Sequence, residues 1–210
     1  MNTPPDQRRF APATERNREP ILEVLLQVLP QNGTILEIAS GTGEHATFFS
    51  SHLAPRQWLP SDPNPELLAS IRAWAEFCPC DAMQPPLEID ASSPIWTVET
   101  EITPQPSISA IVNINMIHIS PWSACLGLMA GAGRILPSGG ILYLYGPYKQ
   151  NGEHIAPSNA AFDESLQAEN LAWGVRNLED VVKAAEAENL QLHETYQMPA
   201  NNFSLVFKRG

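Results

Sequence analysis

The chain has 210 residues, 43% hydrophobic and 17% charged, which fits one folded domain with a single core and excludes a disordered protein. Its 23 acidic and 12 basic residues leave a net charge of -11. Phosphate backbones and anionic membranes are therefore repelled, and a small-molecule partner is expected, with no nucleic acid and no membrane. No segment approaches the roughly 20 apolar residues that cross a bilayer.

In chain order, residues 1–15 lack periodicity and read as an irregular arm, with Pro20 as the first-turn proline of a helix carrying Ile21, Leu22, Val24, Leu25, Leu26 and Val28. Asp6, Arg8 and Arg9 without an apolar run do not make a secretory signal, so a cytoplasmic location is expected. Thr34–Ile38 is a buried strand whose glycine-containing turn runs into a helix near Glu44–Leu53. A short strand at Trp58-Leu59 precedes a helix at about Glu66–Phe77, and a third strand is expected at Leu87–Ile89. Ser92–Pro106 is proline-rich loop, and Ile108–Ile114 is a strand, β-branched and apolar. Ser120-Pro121 supplies an N-cap and first position for a helix to about Leu136, and Ile141–Tyr145 is a further buried strand. Helices near Ala160–Glu169 and Leu178–Glu188 lead to strands Leu190–Met198 and Asn202–Lys208, joined by too few residues for a crossover and so antiparallel. Cys78, Cys80 and Cys125 are an odd, sparse set that reads as incidental thiols, with no metal site.

Strands alternating with helices predict an α/β fold: one domain over residues 1–210, a mostly parallel seven-stranded sheet with helices on both faces, closed by the antiparallel hairpin. Residues 1–19 form an arm placed to cover a cofactor, and 146–177 an insertion on the substrate side. The first strand delivers Gly41-Thr42-Gly43 to the carboxyl edge, where open α/β sheets bind ligands. Gly41–Ala46 also fits the G-x-G-x-x-G/A fingerprint of NAD-binding folds. Glu37, four residues before Gly41, suits a cationic group and repels a pyrophosphate. Asp62 at the end of the second strand is placed to accept ribose hydroxyls, and Asp90 at the end of the third to accept an adenine amino group. Asp81 rivals Asp90 but lacks a preceding strand.

Glu37-x-Ala39-x-Gly41-x-Gly43 resembles the first motif of class I S-adenosylmethionine-dependent methyltransferases, with Ala39 in place of the first glycine. Pro12–Ile21, Ser61-Asp62-Pro63 and Asn115–Trp122 resemble the methyltransferase-like protein 26 family, long filed as a domain of unknown function. The resemblance covers nearly the whole chain and implies a Rossmann-like methyltransferase fold with S-adenosylmethionine as cofactor and S-adenosylhomocysteine as product. It supplies no acceptor and no oligomeric state.

Methyl transfer needs an aligned nucleophile and, for a protonated acceptor, a base. Asn115 is a candidate for the cofactor's methionine end or the substrate. His118 reads equally as a general base near neutral pH or as a packing histidine. Tyr145 leaves the fifth strand toward the substrate or packs against helices, and Arg16 and Asn17 belong to the arm over the cofactor. The expected function is methyl transfer to an oxygen, nitrogen or sulfur of a small molecule. The alternatives are a catalytically silent S-adenosylmethionine-binding regulator and an NAD-dependent oxidoreductase.

Overall fold

The structure is a computed structural model that describes residues 6–100, 104 and 106–210. Residues 1–5 of the arm and part of the Ser92–Pro106 loop lie outside the described residues.

A six-stranded mixed sheet forms the centre. Its strands are β1 (Thr34–Ile38), β2 (Gln57–Pro60), β3 (Ile108–Ile114), β4 (Ile141–Gly146) and, after the insertion, β8 (Leu190–Met198) and β9 (Asn202–Arg209). Their spatial order is β2-β1-β3-β4-β9-β8. The first four are parallel, and β9 enters antiparallel between β4 and β8. The expected seventh strand is absent as a regular element. Residues 82–87 instead follow β2 through two isolated parallel bridges, Trp58 with Met83 and Ser61 with Leu87. Pro85 and Pro86 sit between those bridges and bring no N–H to a ladder, so the edge is broken where they stand.

The strands bury both faces. Ile35, Trp58, Ala110, Val112, Tyr143 and Val206 point to one side, against helices α1 (Pro12–Val28) and α2 (Glu44–His52). Leu36, Leu59, Ile111, Leu142, Leu144 and Leu205 point to the other, against α5 (Trp122–Ile135) and α7 (Leu178–Ala187). α3 (Pro65–Phe77) lies beside α2, and the four-residue α4 (Thr97–Thr100) precedes β3. The insertion holds α6 (Pro157–Glu169) and a small sheet in which β5 (Tyr148–Gln150) lies between β6 (Glu153–His154) and β7 (Arg176–Asn177).

Helix starts differ from the sequence reading at α1 and α5, and α6 begins at Pro157 rather than near Ala160. α1 begins at Pro12, with Pro20 inside it. Thr14, Asn17, Ile21, Val24 and Leu25 are its buried stripe, at helical spacing, and that packing carries the helix past a proline that breaks one internal bond. α5 begins at Trp122, with Pro121 at the N-cap position and no side-chain cap. Ser120 does not cap it, because its hydroxyl donates to the Met116 carbonyl at 2.7 Å and closes the 3-10 turn Met116–His118.

Candidate active site

The turn after β1 is held open by left-handed backbone. Ala39, Gly41 and Gly43 have φ of 58°, 58° and 90°. The three positions do different work. A Cβ on Gly43 would lie 2.8 Å from the Ile71 Cα, so this glycine lets α2 and α3 approach. A Cβ on Gly41 would meet nothing within 4 Å, so open space lies beside that backbone. Ala39 is the alanine standing where the related motif has glycine, and it bears the strain of a conformation that L-residues avoid.

Side chains from β1 and β2 lock this turn. The Ser40 amide donates to the Ser61 carbonyl at 2.7 Å, and the Ser61 amide to the Ser40 hydroxyl at 3.1 Å. The Gly41 amide donates to Asp62 Oδ2 at 3.0 Å, while Oδ1 accepts the Asn64 amide at 2.9 Å. Burial raises the Asp62 pKa, against the pull of those two amides. Glu37 is also buried, and its Oε2 accepts from the Ser40 hydroxyl at 2.8 Å and the Trp58 indole at 3.0 Å. Desolvation lifts its pKa from 4.5 to about 7; the two hydrogen bonds oppose the shift and the charge of Asp62 adds to it.

Asp90 follows Leu87, which pairs with Ser61 at the carboxyl end of β2, whereas Asp81 precedes Met83, which pairs with Trp58 near its start. Asp90 therefore stands at the same edge as Asp62 and Asp81 at the opposite one. The Asp90 carboxylate is exposed and turned to Ser92, accepting from its amide at 2.8 Å and its hydroxyl at 2.7 Å. Glu37, Ser40, Gly41 and Asp62 thus form one bonded cluster, and Asp90 stands outside it.

The N-terminal residues come to the same edge as a helix. Asn17 is buried on α1, and its Oδ1 lies 2.8 Å from His45 Nε2 at the start of α2. An amide oxygen only accepts, so His45 carries its proton on Nε2. Desolvation, helped by the charge of Arg18, lowers the His45 pKa to about 4 and keeps the ring neutral. Burial raises the pKa of the Tyr145 hydroxyl, and the Asn17 side chain acts against that shift. Arg16 faces outward and is exposed. Ahead of α1, the arm is strapped to the glycine turn at two points. Ser70 accepts from the Arg9 amide at 2.8 Å and donates to the Thr42 carbonyl at 2.7 Å. Glu44 Oε2 accepts from the Ala11 amide at 2.5 Å and the Thr42 hydroxyl at 3.0 Å. His45, Ser70 and Glu44 were not singled out from sequence. The helical spacing of Thr14, Asn17 and Ile21 is the signal that would have brought α1, and with it His45, into view.

On the other side of the edge, Asn115 ends β3 at φ 63°, its amide donating to the Tyr145 carbonyl at 2.8 Å. His118 is fully buried, stacked edge-on against Tyr148 with ring centroids 5.2 Å apart. Gly146 covers it so closely that a Cβ there would overlap Nε2. Desolvation lowers the His118 pKa to about 3; the charge of Arg176 lowers it further and Asp163 acts against this. A ring of that pKa is a weak base at neutral pH, and its enclosure suits the packing histidine that the sequence offered equally with a general base.

Solved structures share this fold. An O-methyltransferase family protein from Burkholderia thailandensis matches with a TM-score of 0.78 and 12% identity, over 94% of this chain and 57% of its own. Human N-acetylserotonin methyltransferase in complex with SAM matches at 0.75 and 13%, over 94% and 53%. An O-methyltransferase family 2 protein from Planctomyces limnophilus in complex with apigenin matches at 0.72 and 19%, over 94% and 60%. The chain thus spans little more than half the length of these proteins, and the likeness at such identities is one of fold, a Rossmann-like methyltransferase fold. A family model described as "Protein of unknown function (DUF938)" matches residues 8–209, and the chain belongs to that family.

Proposed function

We propose that the chain is an S-adenosylmethionine-dependent methyltransferase acting on an oxygen, nitrogen or sulfur of a small molecule, in keeping with the motif likeness to the methyltransferase-like protein 26 family. The observation that carries the reading is the open space beside Gly41 at the carboxyl edge, next to a buried carboxylate, Asp62, that already holds the Gly41 amide. A side chain at position 41 would fill that space, so the turn fits a ligand lying on its backbone. In this reading Asp62 takes the ribose hydroxyls, Asp90 the adenine amino group, and Glu37, Ala39, Gly41 and Gly43 form the wall at the methionine end. Asn17 and Asn115 flank that end, and Arg16 is the exposed cation next to Asn17 on α1. When bound, the cofactor supplies a methyl group on a sulfonium, open to in-line displacement.

The protein's share is positioning. His118 is neutral and enclosed, and the Tyr145 hydroxyl, its pKa raised by burial, keeps its proton at neutral pH. We assign both to shaping the pocket wall, so proximity and orientation carry the rate rather than a strong base. Glu37, about half ionised at neutral pH beneath the turn, argues against the NAD alternative, because its negative charge disfavours a pyrophosphate there. Calorimetry with S-adenosylmethionine, S-adenosylhomocysteine and NAD tests the reading: both sulfur compounds bind and NAD does not. Asp62→Ala weakens binding by about 2–3 kcal/mol, the scale of hydrogen bonds to a charged group. Unchanged affinity in that variant overturns the ribose assignment, and turnover on a metabolite panel separates an enzyme from a silent binder.

A further inference from the structure

A cavity of about 790 Å³ opens on the side of the sheet away from α1 and α2, between α5, α7 and the small sheet of the insertion. This is within the range of small-molecule sites. Its apolar wall is Trp122, Leu126 and Val175. Its charges reverse those of the chain: Lys149, Arg176 and Lys183 face a single acid, Asp180, in a protein with 23 acidic and 12 basic residues. Two of the three lysines in the sequence stand here.

The cations are not neutralised alike. Lys149 pairs with Asp163 at 2.9 Å. Arg176 is fixed by backbone carbonyls instead, those of Ile117 at 2.9 Å, Ser120 at 2.6 Å and Ala172 at 2.8 Å. Carbonyls orient a guanidinium without neutralising it, and Asp163 acts on Arg176 only at a distance, its own direct bridge going to Lys149. Lys183 is exposed on α7, and neither it nor Arg176 has a carboxylate partner among the described residues. The Arg176 guanidinium also lies 5.8 Å from the Trp122 ring centre, so one flat apolar surface and one fixed positive charge occupy the same wall.

We propose that this cavity is a binding site for a small aromatic anion, with the ring against Trp122 and Leu126 and the anionic group toward Arg176 and Lys183. The site is separate from the turn at Gly41 and touches it only indirectly, because Arg176 grips the Ile117 carbonyl of the 3-10 turn that follows Asn115 and the Ser120 carbonyl just beyond it.

The test uses the full chain labelled with 15N and free of any cofactor, so its outcome does not depend on the methyltransferase reading. Phenyl phosphate, benzyl alcohol and inorganic phosphate are titrated separately while the Gly152 amide and Trp122 indole resonances are followed. Phenyl phosphate shifts both saturably, and the neutral alcohol and the ring-free anion each bind about tenfold more weakly, a loss of 1.4 kcal/mol. Lys183→Gln, at an exposed position that leaves the fold intact, weakens phenyl phosphate by roughly three- to fivefold. Leu126→Glu, also exposed, sets a like charge in the cavity and weakens it further. No saturable shift with phenyl phosphate, equal affinity for benzyl alcohol, equal affinity for inorganic phosphate, or a Lys183→Gln variant that binds as tightly as the parent each overturns the proposal.

Discussion

Glu37→Gln reports directly on the buried carboxylate beneath the glycine turn. The wild-type group titrates at about 7 in the folded chain against 4.5 when freely solvated. At about 1.4 kcal/mol per pH unit, that difference corresponds to about 3 kcal/mol. A folded-state pKa raised above the unfolded one gives stability that is fully present below 4.5 and lost as pH rises through 7. Glutamine mimics the protonated acid: its carbonyl oxygen keeps the bonds from Ser40 and Trp58, and it cannot ionise. His45 and His118 titrate in the opposite sense. Their pKa values are lowered to about 4 and about 3, so their stability is present above the unfolded value and lost as pH falls through those values. Both histidines are common to the two proteins and cancel in the difference between them. Urea melts of the parent and of Glu37→Gln should therefore diverge by about 2–3 kcal/mol between about pH 5 and about pH 8, the variant gaining relative to the parent. A difference that does not change with pH would refute the picture of a desolvated, readily protonated Glu37.

Two further substitutions test the geometry around the site. Ala39→Gly removes the left-handed strain at φ 58° and should stabilise the fold by about 1 kcal/mol, read as a rise of about 2–4 °C in thermal midpoint; a fall would mean that the alanine methyl packs better than the strain costs. Gly146→Ala drives a methyl into the His118 ring and should cost about 1–3 kcal/mol. Combined with His118→Ala the loss should be less than the sum of the two, and strict additivity in a double-mutant cycle would show that the two residues are not in contact.

The elements read best in the sequence were those set by a strong local pattern. β3 and β4 are runs of apolar and β-branched residues, and the hairpin of β8 and β9 was forced by its short connection. The third strand was read from Leu87–Ile89 alone; Pro85-Pro86, the residues that break that edge, were passed over. α1 was misjudged in the reverse way, since Pro20 was given the first turn while burial of Thr14 and Asn17 carries the helix two turns earlier. The geometry of the candidate site was legible where backbone shape demands a glycine, as at Gly41 and Gly43, and where a strand end places an acid, as at Asp62. It was not legible where a side chain works through a distant partner. Nothing in the local sequence announces that Asn17 reaches His45, or that Ser70 joins Arg9 to Thr42. The enclosure of His118 was equally hidden, because it depends on Gly146 of β4 and Tyr148 of β5.

The placement of β9 between β4 and β8 has a consequence for how the molecule is made. A chain emerging from the ribosome completes β4 long before its neighbour exists, and until Asn202–Arg209 are translated that strand presents an edge of unpaired N–H and C=O groups between apolar side chains. Products that stop short of Asn202 carry this edge permanently, which makes them prone to stick to one another and to recruit chaperones.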